Sequence, residues 1–130
     1  MDGTLALHNG RSPFEYEKCD TDVLNTSVAA ALSLFHDSSH RTIIYLSGRE
    51  DWCREKTEKW LRNHFMFPDG LLYMRPTGDS RRDCIVKKEI FDREVKGKYF
   101  VEVCFEDRDQ MVKLWRDLGF PTWQVNYGNF

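Results

Sequence analysis

Short β-branched and aromatic runs alternate along this chain with segments of helical periodicity, and that order restricts the fold more than any other feature. Residues 41–46, Arg-Thr-Ile-Ile-Tyr-Leu, read as a buried strand that ends at a Ser47-Gly48 turn. Residues 99–105 and 122–126 supply two more strands, and residues 71–74 a weaker fourth. Between them the spacing predicts helices. Asn25 is placed to cap one that runs to about His36, with Val28, Leu32 and Phe35 on one face. Residues 50–65 bury Cys53, Trp60 and Leu61 and stop before Pro68-Asp69-Gly70. Residues 83–95 carry Val86, Ile90 and Phe91, and residues 108–118 carry Met111, Leu114, Trp115 and Leu118 before a Gly119 stop. Strand and helix in alternation predict an α/β fold, a mostly parallel sheet between helical layers. Ligands of such sheets bind beyond the carboxyl ends of the strands, which directs attention to residues 47–49 and 105–108.

Composition narrows the classes. A chain of 130 residues suits one domain, residues 1–130, and its 41% hydrophobic content suits a packed core. No apolar run reaches the length of a membrane span and the N-terminus carries no signal pattern, so no membrane partner is expected and a cytoplasmic setting is the default. Cys19, Cys53, Cys84 and Cys104 lack metal-ligand spacing and read as small hydrophobes. A net charge of −2 argues against broad affinity for nucleic acid. Arg81, Arg82, Lys87 and Lys88 could form a local basic patch, but such a cluster reads first as a solvated helix face. The four histidines are dispersed. The tryptophans read as core or half-buried residues, with stacking of Trp52 on a base as the alternative.

Polar residues stand where the sheet would bind a ligand. Ser47-Gly48-Arg49 follows one strand and Glu106-Asp107-Arg108 another. Each alone reads as a turn with a cap, or as acids at a helix start. Their joint occurrence with Asp2-Gly3-Thr4 favours phosphate chemistry.

Met1-Asp2-Gly3-Thr4 resembles the Asp-x-Asp-Gly-Thr motif of the haloacid dehalogenase superfamily, with the first Asp falling before Met1. Ser47, Lys87 and Glu106-Asp107 resemble that superfamily's second, third and fourth motifs. The likeness extends further. Asp2-Gly3-Thr4-Leu5-Ala6 with Asn9-Gly10-Arg11, Glu17-Lys18-Cys19-Asp20-Thr21-Asp22-Val23, Ser47-Gly48-Arg49-Glu50, Gly78-Asp79-Ser80-Arg81-Arg82-Asp83, Val86-Lys87-Lys88-Glu89-Ile90-Phe91 and Trp123-Gln124-Val125 are similar to the 3′-phosphatase domain of phage-type polynucleotide kinase/phosphatases. The resemblance runs from the first residue to Phe130.

It implies a Rossmann-like, haloacid dehalogenase-type three-layer fold with a minimal cap, and a Mg²⁺-dependent phosphatase acting on 3′-phosphorylated DNA or RNA ends. Asp2 is then the general acid and base, with Thr4 completing its motif; Ser47 bonds the phosphoryl group and Lys87 neutralises it. Asp107 ligates Mg²⁺ directly, Glu106 acts behind it, and the Asp2 backbone carbonyl contributes. Arg11 and Arg49 would bind phosphate oxygens, and Asp83 would hold Lys87 or Arg49 in place. The segment between Leu5 and Asn25 is too short for a lid domain, which suits a polymer end.

Two absences shape the expectation. No Gly-x-x-x-x-Gly-Lys-Ser/Thr loop is present, so any kinase module would be an upstream partner. The first central strand and its nucleophilic Asp precede Met1. Their loss should open the sheet between the strands ending at Leu46 and Phe105, leave this chain without its covalent step, and make Met1 an internal residue of a longer phosphatase. The alternatives are a phosphatase for a small phosphomonoester such as a nucleotide, and a non-catalytic remnant that binds nucleic-acid ends or another protein.

Overall fold

The structure, a computed structural model, describes residues 1–37 and 40–130. Its strands are β1 (Ala6–Leu7), β2 (Val23–Leu24), β3 (Ile44–Glu50), β4 (Leu71–Arg75), β5 (Cys104–Glu106) and β6 (Thr122–Gln124). Its α-helices are α1 (Thr26–Asp37), α2 (Arg54–Asn63), α3 (Asp83–Glu94) and α4 (Asp109–Asp117). Short 3₁₀ helices cover Tyr16–Thr21 and Asp51–Cys53.

β3 is the middle of the layered arrangement. Side chains of a strand alternate between its two faces. Tyr45 accordingly joins a core built from Met1, Leu5, Val28, Trp60, Leu61 and Leu72, while Ile44 and Leu46 pack against Phe91, Met111 and Trp115 of α3 and α4. Helices thus cover both faces, as the alternation of elements predicts.

β3 pairs with β4 in parallel, Ile44 opposite Leu71 through Ser47 opposite Met74, and β5 pairs with β6 in parallel. The sheet is nonetheless divided. β1–β2, β3–β4 and β5–β6 form three separate two-stranded pieces among the described residues. A cleft of about 520 Å³ lies between β3 and β5, lined by Met1, Leu5, Ile44, Leu46, Val101 and Phe105 among others. This is where the opening of the sheet was expected. It also shortens the expected strand at 99–105: only Cys104–Glu106, which have β6 beside them, form a ladder.

Two further readings need correction. Ser47-Gly48 is not a turn, because β3 runs through it to Glu50 with a register shift between Ser47 and Glu50. The glycine serves close approach instead: a Cβ at Gly48 would lie 2.6 Å from Asp83 Oδ1. The helix expected from residue 50 begins as a 3₁₀ turn, and α2 starts at Arg54.

The N-terminal loop folds tightly. The Met1 carbonyl accepts the N–H groups of Thr4, Leu5 and Ala6, and Asn25 Nδ2–H donates to the Thr4 carbonyl at 2.9 Å. Asn25 also caps α1, its Oδ1 3.5 Å from the Val28 nitrogen. Between Leu7 and Val23 the described elements comprise one 3₁₀ helix and no lid domain. All four cysteines are free, with Cys19 and Cys53 buried. No described helix is long and apolar enough to cross a membrane.

Leu61 is fully buried where α2 meets the first core. Leu61→Ala is expected to lower unfolding free energy by about 2–5 kcal/mol, read as a shift of the urea midpoint.

Candidate active site

The two ends of the chain meet at Asp107. Thr4 O–H donates to Asp107 Oδ1 at 2.8 Å, across 103 residues of sequence. Gly3 lies against the same carboxylate at φ +73°, and a Cβ there would fall 2.2 Å from Asp107 Oδ2, so the loop tolerates no side chain at this point. Gln124 Nε2–H donates to the Asp107 carbonyl at 3.0 Å, which ties β6 to the same position.

Beside it, α3 delivers Lys87. Its Nζ lies 3.1 Å from Asp83 Oδ2 and 3.4 Å from Glu106 Oε2, with all three residues buried. Burial disfavours the ammonium, but Glu106 and Asp83 outweigh it and hold Lys87 charged well above its ordinary value. Glu106 is the complement: burial would raise it, yet Lys87 and neighbouring groups bring it down to about 2. Asp107 moves the other way, pushed up by burial against the hydrogen bond from Thr4. Asp83 holds Lys87 as foreseen. Its other partners are Arg75 at 3.2 Å and Arg108 at 3.6 Å, not Arg49.

The charged residues around Asp2 form a closed ring. Arg49 Nη2 lies 2.7 Å from Asp2 Oδ1 and 2.6 Å from Asp22 Oδ2, while Arg11 Nη2 lies 2.9 Å and 2.6 Å from the same two atoms. Arg11 Nε–H adds a bond to Asp22 Oδ1 at 2.6 Å, and Arg49 Nη1–H reaches Thr57 Oγ1 at 3.2 Å. The side chains of Arg49 and Asp22 are 0% exposed; Asp2 alone reaches the surface, at 23%. Burial opposes ionisation of Asp2, but His8 and Arg49 prevail and hold its carboxyl far below the usual range. Ser47, fully buried, accepts the Arg49 backbone N–H at 3.1 Å. That bond leaves its own O–H to donate.

The sequence reading therefore named most of the cluster, and the structure brings Asp2, Thr4, Ser47, Lys87, Glu106 and Asp107 to the carboxyl ends of β3 and β5. It missed Asp22. A carboxylate between a 3₁₀ helix and a two-residue strand looks solvated in sequence, and only its place in the Glu17–Val23 block hinted otherwise. The basic patch does not form: Arg81 pairs with Asp79 and Glu89, Lys88 with Asp92, and Lys87 is inside.

No three His, Cys, Asp or Glu side chains converge as a metal group among the described residues. Two carboxylates in succession, Glu106 and Asp107, still suit a hard cation that retains several waters and takes few protein oxygens. The Asp2 carboxylate is committed to arginines, which leaves its backbone as the donor at that residue.

The layers and the position of the cluster define a Rossmann-like fold of the haloacid dehalogenase type. The sequence matches the family described as "Polynucleotide kinase PNKP phosphatase domain" across residues 1–130, and the chain belongs to that family. A "Putative bifunctional polynucleotide kinase/RNA ligase" of Autographa californica nuclear polyhedrosis virus is 31% identical over 123 residues, 94% of this chain and 18% of that protein. Chains in two solved structures of a Pnkp1/Rnl/Hen1 complex, one called an RNA repair complex, are 48% identical, with TM-scores of 0.93 and 0.94. They cover 99% and 100% of this chain, which spans 42% and 44% of their length.

Asp22→Asn removes a charge from two buried guanidiniums and is expected to destabilise the fold by about 3–5 kcal/mol in chemical denaturation. Glu106 yields a pH prediction. Its folded value, about 2, lies below its ordinary 4.5, so its contribution is complete above 4.5 and is lost as pH falls toward 2. Unfolding free energy measured over that interval should fall less steeply in Glu106→Gln.

Proposed function

We propose that this chain carries a phosphatase site that removes terminal 3′-phosphates from DNA or RNA strands. The observation that carries the reading is the meeting of the Asp2–Thr4 loop with Asp107, beside Lys87, at the carboxyl ends of β3 and β5. Membership of a polynucleotide kinase phosphatase family supports the substrate class. So does the absence of a lid domain between Leu7 and Val23, because a polymer end needs open access.

In this reading the attacking carboxylate belongs to the Asp that the motif places immediately before Met1. It forms a bond to phosphorus as the bond to the 3′-oxygen breaks, and Asp2 gives that oxygen its proton. Water then attacks the aspartyl-phosphate, Asp2 takes its proton, and inorganic phosphate leaves. Ser47 O–H and Lys87 Nζ bind the equatorial oxygens. To exchange protons, the Asp2 carboxylate must turn from Arg11 and Arg49, and the guanidinium N–H groups so released can bind substrate phosphate. Asp107, Glu106 and the Asp2 carbonyl would hold Mg²⁺, which when bound supplies positive charge next to the phosphoryl oxygens.

The test is release of inorganic phosphate from a 3′-phosphorylated oligonucleotide with Mg²⁺, using the chain preceded by an apolar strand ending in Asp. Lys87→Ala should lower turnover by about 10²–10³-fold. Equal activity on free nucleotides and oligonucleotides would move the reading to a small-molecule phosphatase, and no release from either would leave an end-binding protein.

A further inference from the structure

Beside the Asp2 ring, Tyr16 packs half-buried against the first core, while Trp52 lies outside both cores. Trp52 is 53% exposed on the 3₁₀ turn that follows β3, three positions beyond Arg49. Its orientation is fixed rather than free: the indole N–H donates to Glu50 Oε2 at 3.0 Å, and its ring centroid lies 6.4 Å from that of Tyr16. Tyr16 connects this pair to the site, since its O–H donates to the Gly48 carbonyl at 3.4 Å. Phe14, two residues earlier, is 81% exposed. Single exposed aromatics need no explanation, but the Trp52–Tyr16 pair beside a buried charge cluster forms a ledge.

The ledge leads into a groove. A depression of about 600 Å³ starts at Trp52 and follows α2 past Glu55, Lys56, Lys59, Trp60 and His64, with Asp20 on its wall. Lys56 pairs with Asp20 at 3.6 Å, whereas the exposed Lys59 ammonium makes no ion pair among the described residues. Ring, groove and free cation succeed one another in the order of a base, its neighbour and the phosphate between them. Stacking suits a substrate of varied sequence because every base has a π-face.

We propose that Trp52, backed by Tyr16, is a binding residue that stacks on the base of the 3′-terminal nucleotide, with the strand continuing along the α2 groove toward Lys59. The proposal rests on the phosphatase reading and specifies its substrate: an end whose terminal base is free to leave its partner, rather than a paired blunt end.

Binding requires no covalent step, so the chain itself can be tested with a 3′-phosphorylated single-stranded oligonucleotide. Trp52→Ala should weaken binding by about 10- to 100-fold, while Trp52→Phe retains most of it and affinity for inorganic phosphate is unchanged. Tryptophan emission should quench on binding in the native chain and much less in Trp52→Phe, because Trp60 and Trp115 are buried and the half-exposed Trp123 packs against Phe35 and Phe105 rather than lining the groove. An abasic 3′-terminal nucleotide should erase the difference between the native chain and Trp52→Ala. Native-strength oligonucleotide binding by Trp52→Ala overturns the ledge alone. Equal weakening toward oligonucleotide and inorganic phosphate overturns it too, because Trp52 would then act through the fold. Failure of the native chain to bind the oligonucleotide at all overturns the ledge, whereas the phosphatase reading stands or falls on phosphate release by the chain with the preceding Asp.

Discussion

Two guanidiniums and two carboxylates, almost sealed from water, hold the beginning of this chain against its centre. Arg49 rises from β3, Arg11 and Asp22 come from the loop between β1 and β2, and Asp2 belongs to the N-terminal turn. Taking such charges out of water is costly, and only near-complete mutual pairing offsets it. The arrangement therefore specifies one resting geometry: separating Asp22 from Arg11 or Arg49 leaves an uncompensated ion inside, whereas Asp2, at the surface, can turn outward. Thr4 and Gly3 extend this constraint to Asp107, and through Glu106 to Lys87 on α3. Elements that share little apolar contact are in this way kept in register by polar groups.

Electrostatics and packing divide the work. The two cores lie on opposite sides of β3, one under α1 and α2 and the other under α3 and α4. Neither core contains the polar cluster, which sits at their common edge where β3 leaves its register with β4. Consecutive residues there do different things: Ser47 stays buried, Gly48 admits Asp83, and Arg49 reaches the Asp2 ring. Strand alternation persists through the shift, so Ser47 and Arg49 share the buried face while Gly48 lies on the other, against Asp83. The family to which the chain belongs gives this cluster its chemical context, but the geometry follows from these local facts.

Much of this was legible in the sequence. Asn25, Asp83 and Gly119 mark helix ends with side-chain chemistry, and α1, α3 and α4 fall within a residue or two of the expected limits. The site residues were found because they stand at strand ends and resemble known motifs. What escaped was whatever depends on distant partners. The β1–β2 pair has two residues in each strand, too few to show a period. Gly48 looked like a turn because its reason for being glycine lies at Asp83, 35 positions away. Asp22 gave no sign of burial, since the guanidiniums that compensate it come from positions 11 and 49.

The cleft between β3 and β5 has a consequence for how this polypeptide behaves in concentrated solution. Among the described residues each strand is paired on one side only, β3 with β4 and β5 with β6, and the side chains along the cleft include Ile44, Leu46 and Phe105. Unsatisfied ladder groups beside greasy side chains are templates for adding foreign backbone, the route by which sheets join edge to edge and aggregate. The apolar lining of the seam is thus the part of the surface where added backbone would find both ladder partners and hydrophobic contact.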